Sequence, residues 1–402
     1  MKSDHSTVKV KNTGTRLFAV PRAMLRSPVL PLTAPTPDVS FLIAVILLSL
    51  FGTVMVFSAG YAYAAFRYGD AGYFMRRQTI WLAVGLLVMF VASHIRPSVY
   101  EALTPVLYGA TMVLLLLVLI VGLVGNGAQR WISLGPVTIQ PSEIAKMTVV
   151  MMLARYFSVF GTRALDRKKK RNIFLYGTIF PGLIMLFPIL LVMLQKHLSC
   201  MIILGTIGLL TILAAGGGAK YIGGFTALGG VGVTCLALFT DYTKDRITVW
   251  QNPEAYPLTG GWQTLQGLMA IGSGGMFGLG LGKSVLKYCY ISEPANDMIF
   301  AVLCEELGFV GATVTLSVFA FLVYRGYRIA LTAPSSFMRI TAFGITAKIA
   351  VQVLLNVAVV TNTIPNTGIS LPFFSYGGSS LVMILFEMGM LLSFSRFCKI
   401  EK

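Results

Sequence analysis

Long runs of apolar residues, separated by polar and charged segments, recur along most of the chain. A bilayer core about 30 Å thick requires roughly 20 apolar residues in a helix. The pattern predicts ten such helices: Val39–Ala59, Ile80–Ile95, Leu103–Val124, Pro141–Phe160, Ile173–Met193, Leu198–Gly216, Tyr221–Thr240, Met298–Tyr324, Thr341–Val360 and Leu381–Phe394. We therefore predict an all-α, polytopic membrane protein of about ten transmembrane helices.

The composition favours membrane burial over a soluble fold. Hydrophobic residues make up 56% of the chain and charged residues 12%, whereas an ordinary soluble domain is about a quarter charged. With both termini in the cytoplasm, most of the 32 Lys and Arg residues fall on the cytoplasmic side, as membrane topology requires. The net charge of +17, including the Arg163–Arg171 cluster beside anionic lipid, therefore indicates topology rather than nucleic-acid binding.

The polar segments divide the chain into regions. Residues 1–38 have six basic residues and no long apolar run, which predicts a disordered cytoplasmic tail. Residues 39–396 form the ten-helix domain, and residues 397–402 are the cytoplasmic C-terminus. Residues 241–297, between the seventh and eighth predicted helices, form a large extracellular loop. Its apolar, glycine-rich stretches predict a re-entrant or interfacial segment.

Acidic residues are few, yet four of them stand in the run EPANDMIFAVLCEELG, from Glu293 to Gly308. The three that follow Glu293 are Asp297, Glu305 and Glu306. Asp297 precedes the eighth predicted helix, where the helix dipole stabilises a carboxylate and partial burial raises its pKa. A carboxylate in such a place suits proton abstraction. The alternative is that Asp297 only caps the helix.

Other acidic and basic residues stand inside predicted helices, where charge is costly. We expect Glu305 and Glu306 to pair with Lys348, with Lys146 or with small polar groups that face a water-filled interior, and so to hold helices together. Glu143 and Lys146 are three residues apart on one helix face, and we predict a structural ion pair between them.

Several basic residues are predicted to lie on the extracellular side, against the usual charge bias. Arginine in particular offers paired donors that match phosphate oxygens. We therefore predict that an anionic partner is bound by some of Arg77, Arg130, Arg246, Lys283 and Lys287. For any single one of them, an ordinary surface role is an equally good interpretation.

Four motifs resemble those of the SEDS (shape, elongation, division, sporulation) family. They are GAQRWISLGPVTIQPSEIAK, IGSGGMFGLGLGKS, EPANDMIFAVLCEELG and TGISLPFFSYGGSS, and the resemblance extends over roughly Ser40 to Phe394. The stretch GLGKSVLKYCY is more similar to the division member or its sporulation relative than to the elongation member. In these motifs we also expect Ser284, Ser375 and Ser379 to contact substrate.

The resemblance implies a peptidoglycan glycosyltransferase that polymerises lipid II at the outer face of the plasma membrane, at the division septum. It implies that Asp297 is the essential catalytic residue, and we predict that Asp297 acts as a general base. It also implies a class B penicillin-binding protein transpeptidase and other division proteins as partners. The reaction needs a base for the attacking hydroxyl and positive charge at the diphosphate leaving group. A divalent cation, Mg²⁺ or Mn²⁺, is a candidate cofactor.

Two departures from the family pattern leave alternatives open. Ala295, Asn296 and Met298 surround Asp297 where the family has a His-Thr-Asp-Phe run, and Lys196–His197 replaces a Pro-Asp pair. A non-catalytic division scaffold is one alternative, favoured by these departures. A lipid II flippase is the other, because charges inside the membrane also suit transport.

Overall fold

A computed structural model describes residues 35–125, 128–135, 137–164, 170–218, 223–224, 241–258 and 260–398. Within these residues, eight helices are long and apolar enough to cross a membrane. The chain is therefore a predominantly α-helical, multi-pass membrane protein, as the apolar runs predict. Most of the tail at residues 1–38, most of the predicted Tyr221–Thr240 helix and part of the basic cluster lie outside the described residues.

The first half of the fold is a series of apolar helices, most of which are long enough to cross a membrane. They are α1 (Val39–Tyr68), α2 (Tyr73–His94), α3 (Pro97–Val121), α4 (Pro141–Ala164), α5 (Lys170–Phe174), a π-helical turn (Leu175–Ile179), α6 (Phe180–Leu194) and α7 (Leu198–Ala214). Segments α5 to α6 follow one another without a gap and together cross the membrane. The Asp38 carboxylate begins α1 by accepting the Phe41 amide at 3.0 Å.

The second half begins with shorter helices in the large loop. They are α8 (Asp241–Gln251), a 3₁₀ turn (Pro253–Ala255) and α9 (Trp262–Ser273). The membrane-crossing helices α10 (Ile299–Thr332), α11 (Ser336–Val360) and α12 (Gly378–Ser395) follow. The predicted eighth helix is thus longer than the apolar run indicates.

A small antiparallel sheet follows α3 and was not predicted. Its strands are β1 (Leu123–Gly125), β2 (Ala128–Leu134) and β3 (Val137–Ile139), in the order β1-β2-β3. The predicted third helix ran to Val124, but the helix ends at Val121 and Gly122 is extended, at φ −66° and ψ 145°. Strands this short give too little alternation to be recognised beside a long apolar helix.

Helix α4 lies at the centre of the helix bundle. In its most apolar window, 78% of the residues are buried, against 28% for α2 and 33% for α3. It packs against α3, α7 and α11, while α12 packs against α2. By contrast, α1 exposes Ile43, Leu47, Leu50 and Val54 along one face. An exposed apolar face on a membrane helix is suited to contact with lipid chains.

The glycine-rich segment after α9 folds back onto a break in α10. Gly308 interrupts the helix at φ 65° and ψ −166°. The amides of the next two residues donate to the carbonyls of Gly275 and Met276 at 2.9 and 3.0 Å. In return, two amides of the segment donate to the carbonyls of Glu305 and Glu306 at 3.0 and 2.9 Å. These bonds satisfy the backbone of the break, as membrane burial requires.

The two buried acids of α10 are held by this same segment. Glu306 lies 2.7 Å from the ammonium of Lys287 and accepts the hydroxyl of Ser58 at 2.6 and 2.7 Å. Glu305 accepts the Ser284 hydroxyl at 2.5 Å and the Val285 amide at 2.8 Å. Small polar groups were among the predicted partners, and the Ser58 and Ser284 hydroxyls take that role. The predicted basic partners, Lys348 and Lys146, were wrong, because the loop supplies Lys287 instead.

Those two lysines pair with other acids. The Glu143 and Lys146 side chains meet at 2.8 Å on α4, so the pair expected from their spacing forms. Lys348 of α11 pairs with Glu387 of α12. All four groups are buried, and the ion pairs offset much of the cost of keeping charges inside the bundle.

Candidate active site

Asp297 opens onto a cleft of about 420 Å³ at one end of the bundle. The walls come from β2, the start of α7, α8, α9, the segment before α10 and the loop before α12. The lining residues are Arg130, Leu198, Ser199, Arg246, Val249, Trp250, Gly260, Gln263, Thr264, Glu293, Asp297, Asn366, Thr367 and Gly368. Predicted chemistry from three separate motifs therefore meets at one place.

Two amides connect the Asp297 carboxylate to an arginine. Gln263 Nε2 lies 3.4 and 3.5 Å from the two carboxylate oxygens. Asn366 Nδ2 donates to Gln263 Oε1 at 3.1 Å, which orients the Gln263 amide. Arg246 in turn donates to the Asn366 carbonyl at 2.5 Å. This chain of contacts holds the carboxylate toward the cleft.

The backbone around Asp297 is fixed to α11 and to the loop before α12. The buried Asn356 amide donates to the carbonyls of Asp297 and Ile369, at 3.0 and 2.7 Å. The Ser375 hydroxyl donates to the Asn296 carbonyl at 2.7 Å. Such bonds limit the positions available to the carboxylate.

The environment of Asp297 makes it a stronger base than an ordinary aspartate. Burial, and secondly the negative charge of Glu293, raise the pKa of Asp297 to about 6, while the Gln263 hydrogen bond opposes the shift. A group with this pKa is largely ionised at neutral pH and binds a proton more readily than one with the usual pKa near 4. The carboxylate therefore has the properties of a general base.

Two of the predicted cations lie in the cleft with Asp297. Arg130, on β2, donates to the Lys196 carbonyl at 2.8 Å, and its buried Nε has no hydrogen-bond partner among the described residues. Arg246, on α8, lines the same cleft. Two guanidinium groups beside a carboxylate can bind the oxygens of a phosphate or diphosphate.

The other predicted site residues lie outside the cleft lining. Arg77 on α2 and Lys283 are exposed. Ser379, at the start of α12, has a buried hydroxyl with no partner among the described residues. The Ser375 hydroxyl accepts the Leu371 amide at 2.7 Å and, as described, donates to the Asn296 carbonyl. Ser375 thus positions the loop beside Asp297.

Ser284 and Lys287 require a correction. Both side chains are fully buried, with an exposed fraction of 0%, and both bind the acids of α10. The Lys287 ammonium also donates to the Gly282 carbonyl at 2.7 Å. Their predicted contact with substrate is not compatible with this burial, which gives them a role in holding the loop to α10.

The departure at Lys196–His197 adjoins the cleft. Lys196 contributes its carbonyl to Arg130. His197 is buried beside Ser142, with Nδ1 3.4 Å from the Ser142 hydroxyl. Burial, then the nearby Arg130, lower the pKa of His197 to about 3 despite Glu143, so the imidazole is neutral at physiological pH. The departure therefore places no acid at this wall of the cleft.

Sequence reasoning missed the amides that support Asp297. Gln263 and Asn356 stand far from Asp297 in the sequence, and no charge or motif distinguishes them there. Asn366 immediately precedes the TGISLPFFSYGGSS motif, but only the fold brings it to Gln263. Among the described residues, no group of three His, Cys, Asp or Glu side chains is arranged to hold a metal ion.

Comparisons with known proteins agree with the fold and the motifs. The family described as "Cell cycle protein", which unites FtsW, RodA and SpoVE, matches residues 38–400. Stage V sporulation protein E of Bacillus subtilis is 38% identical over 90% of this chain and 98% of its own length. The probable peptidoglycan glycosyltransferase FtsW of Geobacter sp. strain M18 is 37% identical over 89% of this chain and 96% of its own.

Solved structures show the same architecture. A chain of a peptidoglycan synthase complex, described for its coordination of polymerization and crosslinking, has a TM-score of 0.75. It is 27% identical and covers 90% of this chain and 98% of its own. The rod shape determining protein RodA of Thermus thermophilus gives a TM-score of 0.67 at 27% identity, with 91% and 98% coverage. The chain thus belongs to the SEDS family of FtsW, RodA and SpoVE cell cycle proteins.

Proposed function

We propose that this protein is a peptidoglycan glycosyltransferase that polymerises lipid II, with Asp297 as the general base. The observation that carries the proposal is a carboxylate whose pKa is about 6, in one cleft with Arg130 and Arg246. The similarity to FtsW proteins that are described as probable peptidoglycan glycosyltransferases supports the same activity.

The proposed reaction joins two lipid-linked disaccharides. Asp297 takes the proton of the acceptor hydroxyl while that oxygen bonds to the anomeric carbon of the donor. The bond from this carbon to the diphosphate oxygen breaks, and the lipid diphosphate leaves with the electron pair. Arg130 and Arg246 balance the charge on the leaving group. A positioned base contributes about 10²- to 10⁴-fold to such a reaction.

A divalent cation fits the donor groups of the cleft. Glu293 is a carboxylate that lines the cleft beside the proposed base, and Mg²⁺ is commonly held by one or two carboxylates together with substrate phosphates. We propose that Mg²⁺ or Mn²⁺ binds there with the donor diphosphate. The cation would supply further positive charge at the leaving group.

The substrates and relatives suggest the cellular setting. Lipid II keeps its polyprenyl tail in the bilayer, so the cleft belongs at the outer membrane interface, with both termini in the cytoplasm. The synthase complex of the solved relative coordinates polymerization with crosslinking. We propose a class B penicillin-binding protein as the crosslinking partner of this chain, together with other division proteins at the septum.

Reconstitution separates the proposed activity from its alternatives. Purified protein is placed in liposomes with lipid II in one leaflet, with and without a cognate transpeptidase, and glycan strands are separated on a gel. Strand formation supports the polymerase. Movement of lipid II between leaflets without strands supports a flippase. Neither activity, combined with rescue of a depletion strain by an Asp297→Asn variant, supports a scaffold.

A further inference from the structure

A cluster of aromatic rings and one arginine lies beside the Asp297 segment but outside the cleft lining. The rings of Phe74 and Tyr376 pack edge-on with centroids 4.7 Å apart, and Tyr68 stacks on Tyr73 at 4.1 Å. The Arg77 guanidinium lies 4.6 Å from the Tyr73 centroid. It is also near enough to the Tyr376 hydroxyl to oppose the rise in the Tyr376 pKa that burial causes. We call these five residues the aromatic rim.

The aromatic rim is fixed at a short distance from the base. The Tyr376 amide donates to the Ala295 carbonyl at 2.8 Å. Ala295 precedes Asp297 by two residues, which span at most about 7 Å of chain. The rim and the cleft are therefore adjacent regions, joined by the segment that carries the catalytic carboxylate.

The chemistry of the aromatic rim suits the head of an anionic lipid. The exposed Arg77 carries a planar set of donors that matches phosphate oxygens. Its neighbour Arg76 pairs with Asp70 instead. Tyrosine rings favour the membrane interface, and Tyr68 is 49% exposed. A lipid diphosphate with an attached sugar presents the matching groups at that depth.

The inference rests on the proposed function, because that reaction needs two lipid-linked substrates at once. The donor must present its diphosphate near Asp297, where the bond breaks, and Arg130 and Arg246 are there. The acceptor must bring its hydroxyl to Asp297, while its own diphosphate lies at the other end of its disaccharide. We propose that the aromatic rim binds the diphosphate and first sugar of the acceptor, and that the cleft binds the donor.

A single-coupling assay tests this division. The donor probe is a lipid-linked disaccharide with its acceptor hydroxyl capped. The acceptor probe has a methylene group in place of the anomeric oxygen, so its diphosphate cannot leave. We expect Arg77→Ala to raise KM for the acceptor probe about tenfold or more, as loss of a charge-assisted contact predicts. KM for the donor probe should stay within about twofold.

Two variants serve as comparisons. Arg246→Ala should raise KM for the donor probe and leave KM for the acceptor probe nearly unchanged. Arg76→Ala removes a neighbouring arginine of the same helix, and both KM values should stay at the wild-type level. If Arg77→Ala lowers the unfolding midpoint, the assay uses Arg77→Gln instead. Glutamine removes the charge but keeps part of the side chain that packs on Tyr73.

An unchanged acceptor KM in the Arg77 variant, an equal rise for both probes, or a rise for the donor alone would overturn the proposal. Equilibrium binding of each probe to Asp297→Asn protein gives the same comparison without turnover. Normal coupling by that variant would contradict the role of Asp297 as base. The effect of Arg77 on the two probes would still be measurable, so the two failures are distinguishable.

Discussion

Asp297 must be ionised before it can accept a proton, so its raised pKa sets the acid side of the reaction. We predict that kcat/KM for polymerisation rises with pH and reaches half its maximum near pH 6. Glu293→Gln removes the second cause of the raised pKa, so its midpoint should lie at lower pH. Plots of kcat/KM against pH, from pH 5 to 8, give the midpoints of the wild type and of the variant. Titration of the substrate affects both proteins equally, so the difference between the two midpoints reports only on the enzyme. Coincident profiles would contradict the assignment.

Gln263 changes the pKa of Asp297 in the direction opposite to that of Glu293. Because its hydrogen bond lowers the pKa of Asp297, Gln263→Leu should move the midpoint to higher pH. It should also reduce kcat, by about tenfold, because the carboxylate loses its orientation. Gln251→Leu makes the same chemical change at an exposed position outside the cleft lining and is the control. A lower kcat with an unmoved midpoint would argue against the contact.

Among individual residues of the site, charged side chains were easier to predict from the sequence than neutral ones. Asp297, Arg130 and Arg246 stood out because charge is rare in an apolar chain, and the structure brings these three together. Gln263 and Asn366 could not be assigned, because amides are common and their use depends on tertiary contact. Lys287 was misread because its sequence neighbourhood gives no sign of the acid on α10 that it meets.

Among the elements, the break in α10 makes a sharp prediction about stability. At Gly308, a Cβ would collide with the Gly278 amide and would lie 2.6 Å from the Met276 carbonyl carbon. The backbone conformation there is also one that only glycine adopts readily. We expect Gly308→Ala to destabilise the protein by at least about 2 kcal/mol and to lower its unfolding midpoint.

The matched control for that change is Gly272→Ala on α9. A Cβ there meets nothing within 4 Å, and alanine favours a helix over glycine by about 1 kcal/mol. Its unfolding midpoint should equal or exceed that of the wild type. Equal midpoints for both variants would show that the loop does not pack against the break as described.

The ion pair between Lys287 and Glu306 predicts non-additive stability. Lys287→Met leaves a buried carboxylate without its cation, which costs about 3–5 kcal/mol. Adding Glu306→Gln removes the uncompensated charge and should recover part of that loss. Thermal unfolding of the single and double variants in detergent measures the coupling. A double variant as unstable as the sum of both single variants would contradict the pairing.

The membrane helices were predictable because a long apolar run enters the membrane as a helix independently of the rest of the chain. Their ends were less accurate: α3 gives way to β1 two residues after Val121, and α10 continues to Thr332. The break at Gly308 has its cause elsewhere in the chain, in the carbonyls of Gly275 and Met276. Local sequence does not contain such long-range contacts.

On the scale of the whole molecule, the two ends of the bundle differ in chemistry. One end carries the cleft with its carboxylate and arginines. At the other end, Asp38 binds Arg325 at 2.6 Å and joins the start of α1 to the far part of α10. The arrangement suits an enzyme whose substrates remain anchored in lipid while the reacting groups meet at one interface.

In the proposed reaction, the Asp297 carboxylate performs the chemistry. The most direct test of this role is the initial rate of glycan-strand formation from lipid II by purified Asp297→Asn protein, compared with wild type at pH 7.5. Equal unfolding midpoints ensure that the comparison concerns folded protein. We predict a rate lower by about 10²-fold or more. Polymerisation at the wild-type rate would rule out Asp297 as the general base.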